Sequence, residues 1–113
     1  MPEVKITQYT VYPDGYETFA NTDKWAWTLT VDQRDPDRDL WAVCRGPYCL
    51  NENGEPTVEP RPSSRTDTWL ARHRFPLERA LAIAQDQVQT LTINGHTARE
   101  ASARISQQES RHG

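Results

Sequence analysis

Trp25, Trp27, Leu29 and Val31 occupy alternate positions, with Ala26, Thr28 and Thr30 between them. A period of two puts every second side chain on one side of an extended chain, so the pattern predicts a strand with an apolar face. Such a face needs an apolar cover. Leu77, Ala80, Leu81, Ala84 and Val88 supply a matching surface, because spacings of three and four draw one stripe along a helix. A sheet covered by helix is the architecture these two patterns allow.

The hydrophobic fraction is 35 %, below the globular average, so the indoles must supply much of the burial in the first half. A chain of 113 residues is read as one domain, 1–113, able to bury roughly two thirds of its unfolded surface.

The first 59 residues read as strand-rich. Val4, Ile6, Thr10 and Tyr12 alternate with Lys5, Thr7, Tyr9 and Val11. The "PDG" at 13–15 is a turn, and 16–20 reads as a short return strand. Residues 40–45 read as the partner of the Trp25–Val31 strand, broken by Gly46-Pro47. Residues 48–51 and 55–59 flank Asn53-Gly54, a strong hairpin cue. Residues 60–67, "PRPSSRTD", are read as a connector, since proline fixes φ and removes a donor.

Residues 68–106 read as strand–helix–strand–helix. In "WLARHRF", Leu70, Arg72 and Arg74 alternate with Ala71, His73 and Phe75, which predicts a strand. Pro76 suits the first turn of the helix that carries the apolar stripe. Residues 91–93 form a short strand. If 71–75 and 91–93 share a sheet, the helix between them is long enough for a right-handed parallel crossover. Asn94-Gly95 turns the chain, and Thr97 with Glu100 forms a capping box. The second helix turns Ala98, Ala101 and Ile105 inward and pairs Glu100 with Arg104 outside. Residues 107–113 are expected to fray. The fold class is α+β: an antiparallel sheet of about 4–6 strands with two C-terminal helices packed on one face.

Net charge is −3, with eleven acids against five bases over 1–60 and five acids against eight arginines over 61–113. The acidic total argues against a dedicated duplex-DNA binder, although arginines of the second half leave nucleic acid as a possible partner. The opening residues lack the apolar segment of a signal peptide, and no run suits a membrane span. A cytoplasmic protein with reduced cysteines and no membrane partner is the expectation.

Several constellations carry potential chemistry. His73 between Arg72 and Arg74, flanked by Trp69 and Phe75, has the donors to hold a phosphate or an acidic partner; the structural alternative is a packed strand. Cys44 and Cys49 flank a four-residue turn, which brings them near one another; a disulfide is sterically possible, and the expected compartment opposes it. They lack the second ligand pair of a structural zinc site, so neither metal nor cofactor is expected. Asp32, Asp35, Asp37 and Asp39 form an acidic loop without the glycine and closing glutamate of a calcium loop. Trp25, Trp27 and Trp41 as a stacking platform for single strands is a weaker reading than core. "RPRPSSRTD" is a basic loop able to touch phosphates. No phosphate loop, dinucleotide fingerprint, nucleophile elbow or zinc-protease motif is present.

"DTWLARHRFPLERALAIA" and "LTINGHTAREASAR", together with Trp41-Ala42-Val43 and "CLNENGE", resemble small uncharacterised proteins of actinobacteria and their phages and integrated elements, over about residues 25–105. Eleven Arg against two Lys suit a GC-rich genome. Pro76 departs from the acidic helix cap often seen there. The resemblance implies an accessory protein of a mobile element and carries no catalytic residue with it.

The functional expectation is a non-enzymatic protein that binds another protein. Its candidate contacts are Asp35, Asp37, Asp39, Arg61, Arg65, Arg72, His73 and Arg74. The alternatives are nucleic-acid binding through Arg61, Arg65, Arg72, Arg74 and Arg79, and an enzyme using His73 with Cys44 or an acid.

Overall fold

Five antiparallel strands stand side by side in chain order: β1 (Gln8–Val11), β2 (Leu29–Asp35), β3 (Leu40–Arg45), β4 (Tyr48–Leu50) and β5 (Pro56–Val58). The computed structural model describes residues 2–35 and 37–112. Tyr9, Val31 and Val43 lie in register across β1–β3, so their side chains share one face. That face, with Leu29, Trp41 and Leu50, packs on the stripe Ala80, Ala84 and Val88 of a long helix (Leu77–Thr90). Ala80 and Ala84 are fully buried, and their small side chains let the helix lie close to the sheet.

A final helix (Ala98–His112) joins the same core through Ala98, Ala101 and Ile105 and packs against the Tyr16–Thr18 turn, so the two expected C-terminal helices are present. Its capping box is formed: the amide of Glu100 donates to Thr97 Oγ1 at 3.3 Å, and the amide of Thr97 donates to Glu100 Oε1 at 3.0 Å. Arg104 reaches His96 Nε2 at 2.9 Å instead of pairing with Glu100. The helix continues through 107–112, where fraying was expected; Gly113 lies outside the described residues.

Four further expectations are corrected. The alternation that begins at Trp25 is not a strand over its whole length. Asn21–Lys24 is a helical turn, α1, and Trp25–Trp27 continues it as a tighter 3-10 turn closed by the Thr28 hydroxyl on the Trp25 carbonyl. Trp27 turns inward to stack on Phe19, whereas Trp25 is 74 % exposed. β2 starts only at Leu29.

"WLARHRF" is mostly helix. Asp67–His73 forms α2, so the two C-terminal helices are α3 (Leu77–Thr90) and α4 (Ala98–His112). Thr66 caps α2 by accepting from the Trp69 amide at 3.0 Å, and Asp67 sits in the first turn, where the helix dipole favours an acid. Only Phe75 is strand-like, exchanging two backbone hydrogen bonds with Trp41. α2 packs Trp69 on Ala42, Cys44 and Cys49, on the face of the sheet opposite α3.

Residues 91–93 do not enter the main sheet. β6 (Thr92–Ile93) and β7 (His96–Thr97) pair only with each other around Asn94-Gly95, which takes φ of 53° and 81°, the two positive values of a tight hairpin turn. No parallel crossover forms, because the chain folds back at once.

Residues 16–20 hold a 3-10 turn, Tyr16–Thr18, in place of a return strand. Gly15 precedes it at φ 85°, where an added Cβ would meet Ser102 Oγ at 2.9 Å, so glycine lets this turn press against α4. In the N-terminal segment Tyr9 and Val11 face the core, while Val4 and Ile6 are exposed.

Candidate functional site

The β3–β4 hairpin organises both regions where chemistry collects. Gly46 (φ 56°) and Pro47 make its two-residue turn, with Arg45 paired to Tyr48 and Cys44 to Cys49. Alternation then sends the two cysteines to the α2 face and Arg45 with Tyr48 to the α3 face.

On the α2 face lies a closed polar layer. Glu59, just past β5, is approached by Arg34 (3.3 Å), Arg65 (3.5 Å) and Arg74, whose own side chain is buried. Burial acts to raise the Glu59 pKa; the Arg74 hydrogen bond and the charges of Arg34, Arg74 and Arg65 outweigh it and hold the carboxyl below its ordinary value. His73 is fixed in place: its ring lies on Trp69, centroids 4.1 Å apart, with Nδ1 at 2.7 Å from the Trp69 carbonyl and Nε2 at 2.8 Å from Thr57 Oγ1. A carbonyl only accepts, so Nδ1 carries a proton. Both ring nitrogens are occupied by neutral groups, so among the described residues the imidazole makes no hydrogen bond to a thiol or carboxylate. Among the described residues no buried side-chain polar atom lacks a partner.

The sulfurs of Cys44 and Cys49 are 3.7 Å apart and buried under Trp69. Arg34 Nη2 donates to Cys44 Sγ at 3.6 Å. The hydrogen bond between the sulfurs lowers the pKa of Cys49, helped by Arg74 and Arg34 against burial; the same bond, with burial, raises that of Cys44. The pair therefore releases one proton readily and holds the other.

The remaining candidate contacts are dispersed. Asp35 takes Arg38 at 3.7 Å, and Asp39, at φ 52°, accepts from Trp41 Nε1 at 3.0 Å, so both stabilise the β2–β3 turn. Asp37 is exposed there; Pro36 lies outside the described residues. Arg72 pairs with Glu52 at 2.9 Å, and Arg61 is exposed in the connector. Arg65, Arg74 and His73 meet around β5, while Asp35, Asp37 and Asp39 do not join them. Among the described residues no three His, Cys, Asp or Glu side chains are grouped to hold a metal ion, and no helix is long and apolar enough to cross a membrane.

On the α3 face, the residues at the C-terminal end of α3 border a groove together with β2, β4 and the β6–β7 hairpin. It has a volume of about 970 Å³ and is lined by Trp25, Leu29, Tyr48, Leu50, Leu91 and Ile93. Among the described residues, its only charged lining residue is Arg45. Asn51 shapes the neighbouring loop: buried, its Oδ1 accepts from the amides of Asn53 (2.9 Å) and Glu55 (3.0 Å). Sequence reasoning placed Trp25 in the core and so missed this groove. The usable signal was Asn21-Thr22-Asp23, residue types that favour a turn or helix start over a strand.

No family model matches the chain, and neither a curated protein nor a solved structure is significantly similar to it.

Proposed function

We propose that this chain is a small non-enzymatic accessory protein that binds another protein, and that the groove on the α3 face receives a peptide segment with an apolar anchor and a neighbouring carboxylate. One observation carries the reading: Trp25, 74 % exposed, stands with Tyr48 in the lining of an apolar groove whose one charged lining residue among the described residues is Arg45. Leaving an indole in water forgoes roughly 1.5–3 kcal/mol of burial, which a partner recovers by covering it. Trp, Tyr and Arg are the residue types that dominate binding energy at protein interfaces. With no acid in the lining, the field at Arg45 favours an anionic partner residue.

The nucleic-acid alternative has less support. Arg65 and Arg74 share Glu59, and Arg72 pairs with Glu52, so these guanidiniums are already engaged by the protein's own carboxylates. Only Arg61 and Arg79 of that set make no ion pair among the described residues.

Selection from a random peptide library tests the proposal. Enriched peptides should carry an aromatic or branched aliphatic residue close to Asp or Glu. Trp25→Ala and Arg45→Glu should each weaken binding about thirtyfold, the ~2 kcal/mol of an interface hot spot, in protein that stays folded. Peptides with no acidic position, or binding indifferent to both substitutions, would overturn the reading.

A further inference from the structure

We propose that Cys44 and Cys49 form a redox modification site, closed to a cross-strand disulfide by a small peroxide. The case is geometric. The Arg45–Tyr48 pair flanks the two-residue turn, so Cys44 and Cys49 occupy the next pair, the type without mutual backbone hydrogen bonds, in which Cα atoms approach to about 4.5 Å. That separation lies within the range a disulfide spans. Both side chains point to the same face, and the sulfurs already touch at 3.7 Å. The bond between the two sulfurs, with the charges of Arg74 and Arg34, favours the thiolate at Cys49, which is the nucleophile.

The surroundings select the oxidant. The sulfurs lie beneath Trp69 with 4 % and 2 % of each residue exposed, which excludes bulky disulfide reagents. Hydrogen peroxide is small and uncharged, and α2 is a helix of only seven residues, short enough to open locally. One thiolate attacks a peroxide oxygen and displaces hydroxide, giving a sulfenic acid. The neighbouring thiol attacks that sulfur, the S–O bond breaks and water leaves. In sum two thiols lose two electrons and two protons, and one peroxide becomes two waters.

The test is peroxide treatment of the full chain, with alkylation of remaining thiols after denaturation and mass spectrometry of the peptides. Both thiols should disappear together, a peptide linked through Cys44 and Cys49 should appear, and dithiothreitol should restore both. Cys44→Ser and Cys49→Ser should stop at a sulfenic acid trapped by dimedone. Arg34→Ala should slow closure severalfold. The proposal is overturned if both thiols stay alkylatable at peroxide doses that fully oxidise free cysteine. It is equally overturned if only the opened variant Trp69→Ala reacts, since the pair would then be packing alone, or if single-site oxidation proceeds with no linked peptide.

Discussion

Trp69 and His73, one helical turn apart on α2, lie flat against each other with ring planes 6° from parallel. The stack aims the imidazole at Thr57, so one side chain ties α2 to β5. His73→Ala removes two hydrogen bonds and leaves a void, and should lower unfolding free energy by about 2–3 kcal/mol in a urea titration. Peptide binding in the groove should be unchanged, because His73 is on the other face. A loss of binding with stability intact would show that the α2 face is functional.

Glu59 governs the acid limb of stability. Its pKa is below the ordinary 4.5 in the folded chain, so it contributes stability that is fully present above about pH 4.5 and lost as pH falls through the lower folded value. Glu59→Gln should flatten that limb while lowering stability near neutrality by about 3 kcal/mol, because Arg74 is left buried without its counter-charge. Unfolding free energies measured between pH 3 and 7, on the order of one unit apart, check both parts. A variant with the same acid limb as the parent would remove Glu59 from this role.

Ala84 meets the sheet with no exposed surface. Ala84→Leu has no space to fill and should cost roughly 1–3 kcal/mol, read as a lower denaturation midpoint. Unchanged stability would mean that α3 sits farther from β2 and β3 than described.

Asn51 holds the loop beside the groove through two backbone amides. Asn51→Ala should destabilise by about 1–3 kcal/mol, whereas Asn51→Asp, which keeps the acceptor, should cost less. Equal losses in the two variants would show that the acceptor is not what matters.

Much of this architecture is legible residue by residue. The α3 stripe, the Thr97–Glu100 box and the Asn94-Gly95 turn depend on backbone groups three or four positions apart. "WLARHRF" was misread because alternation over seven positions fits a strand, while the deciding features are a Thr66 cap outside that window and an i, i+4 pair inside it. The groove was missed for another reason: Trp25 and Trp27 are the same residue type two positions apart, and only the turn-favouring Asn21-Thr22-Asp23 before them argues against a strand.

The amino-acid order by itself determined the sheet-plus-helix class, the hairpin that sets Cys44 beside Cys49, and the caps and turns, since these follow from dihedral preferences and hydrogen bonds within a few residues. Tertiary structure alone decided that Trp25 stands in solvent, that α2 lies on the far face, and that Arg34, Arg65 and Arg74 share Glu59. Which surface covers an indole, and which carboxylate neutralises a guanidinium, depend on groups brought together only when distant strands and helices pack.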